Sequence, residues 1–213
     1  GTSKSAQVTV LRSAVESVVV NPSSVIGGTS ADVTVTLAGP APAGGFAVAL
    51  SSNNAAVGVP ASITVPEGAV SAGATATTLS VSANVTATVS ASANGVTKSA
   101  TLAVNRATVD GITLTPSSVI GGSSSTASVT ITGPAPVGGL VVAVSKTGTA
   151  TTVPATVTVA AGQSVATFTV TTAAVGTDSD STITVSANGA SKSAVLTVQR
   201  TVPASVAIAP SNV

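Results

Sequence analysis

The sequence predicts an all-β protein built as a tandem of small β-sandwiches, and three observations carry that prediction. A block of chain repeats after 94 residues: Pro-Ser-Ser-Val-Ile-Gly-Gly starts at Pro22 and again at Pro116, and Gly-Pro-Ala-Pro starts at Gly39 and Gly133. Within each copy, apolar residues alternate with Ser and Thr at period two, the pattern of a half-buried strand. No segment has the 3.6-residue period of a helix. Gly, Pro and Asn-Gly pairs punctuate the alternating runs where short strands must turn.

The register of the repeat sets the organisation of the chain. The same offset relates Pro60 to Pro154, Asn94-Gly95 to Asn188-Gly189, and Arg106 to Arg200, with no insertion or deletion. A little under half of the aligned positions are identical. Complete repeats are therefore expected over residues 13–106 and 107–200. Gly1 to Arg12 aligns with Gly95 to Arg106, so residues 1–12 read as the last strand of a preceding repeat. Ser205 to Val213 aligns with Gly111 to Val119, so residues 201–213 read as the first strand of a following one.

Each repeat contains seven alternating runs. In the first copy the inward residues are Val18/Val20, Val33/Val35/Leu37, Phe46/Val48/Leu50, Ile63/Val65, Ala72/Ala74/Ala76, Ala87/Val89/Ala91 and Ala100/Leu102/Val104. The second keeps the phase with Ile112/Leu114, Val129/Ile131, Leu140/Val142/Val144, Val157/Val159, Ala166/Phe168/Val170, Ile183/Val185 and Leu196/Val198. Val and Thr suit a pleated, half-buried surface. Asn94-Gly95 and Asn188-Gly189 separate the last two runs, where a two-residue type I′ turn needs positive φ. Seven short antiparallel strands per repeat match an immunoglobulin-like, or fibronectin-like, seven-stranded β-sandwich. The buried Trp and paired Cys of antibody domains are missing. Phe46 stands where the second copy has Leu140, and Phe168 where the first has Ala74, so the two positions are expected to face each other across the core.

Four stretches of the chain resemble the immunoglobulin-like repeats of large bacterial extracellular and surface proteins. They are Thr115 to Val119, the Gly133 to Gly139 turn, the Val153 to Val159 strand, and Ala187 to Val198. These are turn and core positions. The resemblance implies the sandwich fold and a role as stalk, spacer or fibre material.

Composition excludes most chemistry. Hydrophobic residues make up 44% of the chain and charged residues 6%, with a net charge of +1. The usual charged fraction is about 25%. Mean hydropathy is +0.62, yet no run approaches the roughly 18 apolar residues of a spanning helix, so membrane insertion is not expected. The chain has no Cys, His, Met, Trp or Tyr. Without thiolate or imidazole, the usual zinc, haem and iron–sulfur ligands and the Ser–His and Cys–His nucleophile pairs are lost. No basic stripe with stacking aromatics is present, so nucleic acid is not an expected partner. No catalytic residue, cofactor or metal site is assigned.

A few residues nonetheless invite sharper readings. Asp178-Ser179-Asp180 has the spacing of a calcium loop, but the first copy carries Asn84 and Thr86 there, and a solvated loop is expected. Lys4, Lys98 and Lys192 share one position in phase with inward residues. An intramolecular Lys–Asn crosslink would need a nearby acid that does not repeat, so the lysines are expected to reach solvent at the strand's end. Arg12/Glu16 and Arg106/Asp110 are candidate ion pairs at the junctions between repeats, where the connection is too short for a flexible linker. Asn84-Val85-Thr86 fits a glycosylation sequon.

The expected role is therefore structural: a repeat of an extracellular or cell-surface fibre, sheath or stalk. Its expected partners are other copies of itself, in filament or lateral contacts, and cell-surface components. Sparse charge leaves little repulsion to oppose such packing. A rod of stacked repeats would advance roughly 40 Å per repeat, from seven-residue strands plus loops. The alternative is an adhesin module recognising a glycan or protein through its loops, which usually calls for aromatic or Arg anchors.

Overall fold

The computed structural model describes Lys4 and residues 13–202. The chain divides into two compact units between Arg106 and Ala107. Among the described residues no helix is long and apolar enough to cross a membrane.

Among the described residues the first unit holds nine strands: β1 (Val15–Asn21), β2 (Ser24–Ile26), β3 (Ala31–Leu37), β4 (Phe46–Ser52), β5 (Val57–Gly58), β6 (Ser62–Val65), β7 (Ser71–Thr78), β8 (Val85–Ala93) and β9 (Val96–Asn105). They form a four-stranded sheet in the order β1-β3-β7-β5 and a five-stranded sheet in the order β2-β9-β8-β4-β6. The second unit repeats the plan with β10 (Val109–Thr115), β11 (Ser118–Ile120), β12 (Ser124–Ile131), β13 (Leu140–Lys146), β14 (Thr151–Thr152), β15 (Thr156–Val159), β16 (Val165–Thr172), β17 (Ser179–Ala187) and β18 (Ala190–Gln199). Its sheets run β10-β12-β16-β14 and β11-β18-β17-β13-β15.

All seven expected strands of each repeat are present, and two short ones join them. The first arises at Pro22 and Pro116. Proline has no N–H to offer a ladder, so β1 ends its pairing with β3 at Asn21 and the chain crosses to the other sheet. There β2 runs parallel to β9 over Ser24–Ile26, and β11 runs parallel to β18 over Ser118–Ile120. The second addition, β5 or β14, contributes two residues to the edge of the four-stranded sheet. Both β1 and β10 carry a bulge at the same place, between Val15 and Ser17 and between Val109 and Gly111.

Alternation places one row of each strand in the core. Val33, Val35, Val48, Val89, Leu102 and Val104 are fully enclosed in the first unit, and Val129, Val142, Ile183, Val185, Leu196 and Val198 in the second. The rings sit on opposite sheets: Phe46 on β4 packs against the first core, as does Ala74 on β7, while Phe168 on β16 and Leu140 on β13 pack against the second. The turns follow the sequence reading, with Asn94 at φ 50° and Gly95 at 80°, and Asn188 at 55° and Gly189 at 84°. Gly27 and Gly121 serve a different need. A Cβ on Gly27 would lie 2.6 Å from the Leu79 carbonyl oxygen, and one on Gly121 would lie 2.7 Å from that of Ala173. Backbone passes backbone there with no room for a methyl.

Candidate functional site: the ends of each sandwich

The polar side chains that recur at the 94-residue offset tie strands and loops together. Asn94 Nδ2 donates to the Ser13 carbonyl at 2.9 Å, and Asn188 Nδ2 donates to the Ala107 carbonyl at 2.7 Å. Each joins the hairpin turn to the residue two positions before the first strand of that unit, Val15–Asn21 or Val109–Thr115. At the outgoing end, the Arg106 N–H donates to Asn84 Oδ1 at 3.0 Å and the Arg200 N–H to Asp178 Oδ1 at 2.8 Å. A third tie runs from the Thr88 N–H to Asn53 Oδ1 at 2.7 Å, matched by the Thr182 N–H to Thr147 Oγ1 at 3.0 Å. Residue types change between the units while the accepting oxygen stays in place.

These ties account for some of the residues that sequence reading singled out. Asp178 is engaged by the Arg200 N–H, and Asp180 Oδ1 accepts from Thr197 Oγ1 at 2.7 Å. The pair braces the sandwich. No cluster of three or more acidic side chains able to hold a metal occurs among the described residues. Glu67 Oε2 accepts from the Gly44 N–H at 3.1 Å, which holds a turn. The sequon residue Asn84 is exposed and has its amide oxygen on Arg106. Lys98 and Lys192 are exposed, and the Asn94 and Asn188 amides that a crosslink would consume are hydrogen-bonded to backbone. Arg12 lies outside the described residues, as do residues 1–3, 5–11 and 203–213, on which the neighbouring-repeat readings fall.

Sequence reading assigned Asn94 and Asn188 a turn role only and missed the tie. The signal was available, because an Asn repeating in step with a Gly could be held by more than the turn. It also missed two buried hydroxyls of the second unit. Thr151 Oγ1 and Ser181 Oγ have no hydrogen-bond partner, at positions where the first unit has Val57 and Ala87. By contrast, the buried Thr78 is satisfied, accepting from the Gly28 N–H and donating to the Thr29 carbonyl. The outer face of the first four-stranded sheet has a shallow open depression over Gly73, beside Asp32, Thr34 and Thr75.

No family model matches the sequence, and no curated protein matches it. Solved structures do. The chain superposes on invasin, a bacterial integrin-binding protein, with a TM-score of 0.52 and 19% identity, over 87% of this chain and 39% of that one. The fold is immunoglobulin-like. The chain is also similar to the D0–D1 domain of intimin, at 15% identity over 87% of this chain and 99% of that one with a TM-score of 0.37. The adhesin InvE of Yersinia pseudotuberculosis matches at 16% identity over 85% of this chain and 58% of that one, with a TM-score of 0.39.

Proposed function

We propose that this chain is a non-catalytic structural repeat of an extracellular fibre, sheath or surface stalk, self-associating or acting as a stiff spacer. One observation carries the reading. The outgoing end of the first unit is held by the Asn84–Arg106 tie and the incoming end of the second by the Asn188–Ala107 tie. Arg106 and Ala107 are consecutive, so no untied residue separates the two anchors. The sequence across this point, Asn105-Arg106-Ala107-Thr108, has no Gly- or Ser-rich linker, which supports the spacer reading. Ser13 and Arg200 carry the same ties at the other ends, which supports 13–106 and 107–200 as units of a longer series.

The surface supports self-association over ligand recognition. Both Phe side chains lie on strands, and the chain has no Trp or Tyr to anchor a ligand in a loop. The acidic residues Glu67, Asp178 and Asp180 hold backbone or hydroxyl groups of their own unit. Other copies of the chain and cell-surface components are the partners this reading calls for.

Electron microscopy of the native material tests it. Regular fibres with an axial repeat near one unit, or thin stalks projecting from cells, agree with the reading. Material that is neither, or that carries a bound ligand at its loops, overturns it. Small-angle scattering of the 213-residue chain tests the spacer part, and a freely jointed profile removes it.

A further inference from the structure

Three of the four lysines, Lys4, Lys98 and Lys192, occupy one position of the repeat in a chain where only 6% of residues are charged. Neither the core nor the ties described above use them. Their place on the strands does have a consequence. Lys98 lies on β9 opposite Ala91, and Lys192 lies on β18 opposite Val185. A two-residue hairpin makes the residues flanking its turn, Ala93 and Val96, a hydrogen-bonded pair. Alternate residues Thr97, Ser99 and Thr101 therefore turn their backbone N–H and C=O groups away from β8. Strand β2 covers that side of β9 only over Ala103–Asn105, where the Ala103 N–H donates to the Ser23 carbonyl at 2.9 Å. Among the described residues no strand pairs with the edge from Val96 to Leu102. In the second unit β11 covers only Thr197–Gln199, and the edge from Ala190 to Leu196 is open in the same way.

An open edge is a template for a strand of another chain. Apart from the lysine, these two edges are neutral and made of Ser, Thr, Ala, Val and Leu, a composition with little to prevent edge-to-edge growth. Lys98 belongs to the inward row with Ala100, Leu102 and Val104, yet it is exposed because it lies at the uncovered end of that row. A strand added to the edge would strip water from its ammonium group. The same edge of a second copy would bring a second lysine to the same place, and like charges opposite one another repel.

We propose that Lys98 and Lys192 guard the open edges of β9 and β18, and that the partner they turn away is the same edge of a second copy of this chain. The guard operates whether the array is a fibre or a stalk. Where copies do assemble, it directs them to contacts other than a continuous sheet.

The test uses the 213-residue chain. Lys98→Thr and Lys146→Thr remove the same charge, the first from the open edge of β9 and the second from the end of β13, where Lys146 pairs with Ile183 of β17 and its Nζ donates to the Gly148 carbonyl at 2.8 Å. Thermal unfolding by circular dichroism establishes that each variant folds. Aggregation is then followed below the unfolding temperature by light scattering and thioflavin T fluorescence. The expected result is a severalfold earlier, thioflavin-positive onset for K98T, earlier still for K98T/K192T, with K146T and the charge-retaining K98R/K192R behaving as the parent chain. Equal onset for K98T and K146T, or aggregation without thioflavin signal, overturns the proposal. The fibre or stalk reading is decided separately by microscopy of the unaltered protein.

Discussion

The two units share a strand plan and differ in what fills it. The first encloses Val57 and Ala87, where the second encloses the hydroxyls of Thr151 and Ser181. The first carries its ring on β4 and the second on β16. Asn53 and Asn84 of the first give way to Thr147 and Asp178 in the second. What does not change is instructive: the glycines at the close backbone approach, the Asn-Gly turns, and an oxygen at each tie. Backbone geometry tolerates no substitute at those points, whereas core volume and acceptor type can be supplied in more than one way.

The comparison breaks hardest at the glycines. Gly27→Ala and Gly121→Ala should each destabilise their own unit by about 3 kcal/mol, toward the upper end of what overpacking costs, because the obstacle is backbone. Hydrogen exchange resolved by peptide mass spectrometry would assign the loss to one unit, and equal losses in both would establish the shared constraint. The rings come next. Ala74→Phe puts two rings into the first core and should cost about 1–3 kcal/mol, and adding Phe46→Leu should recover most of it. Losses that simply add in the double variant would separate the two positions in space.

Polarity sharpens the comparison further. Thr151→Val and Ser181→Ala convert the second core to the pattern of the first and remove hydroxyls buried without a partner. Each should stabilise the second unit by about 1 kcal/mol in denaturant unfolding. An unchanged midpoint would mean that both hydroxyls are satisfied in solution. The smallest effect is expected at the ties. Asp178→Asn reproduces the first unit's acceptor and should move stability by less than about 0.5 kcal/mol. Asp178→Ala, which removes the acceptor, should cost about 1 kcal/mol.

Much of the fold was legible because it rests on local rules. Period-two alternation identified Val33/Val35/Leu37 and Val129/Ile131 as core rows, and all five side chains are buried. Asn94-Gly95 identified a hairpin turn, and its φ values are those of that turn. The crossing of the chain at Pro22 was not legible, since alternation continues on both sides of the proline and does not name the sheet. The engagement of Asp178 and Asp180, expected to lie in a solvated loop, was not legible for a related reason. Spacing along the chain cannot reveal that the Arg200 N–H and Thr197 hydroxyl, 22 and 17 residues away, already take those oxygens.

By itself the sequence determined the strand rows, the turns, the repeat register and the absence of thiol and imidazole chemistry, because each depends on residue type or on neighbours a few positions apart. Only the tertiary structure decided which sheet each strand joins, which polar side chains are engaged, and which edges stay open. Those outcomes depend on groups brought together from distant parts of the chain, from 17 residues apart at Asp180–Thr197 to 81 at Asn94–Ser13. A buried or tethered polar group must find its partner wherever the folded chain supplies one.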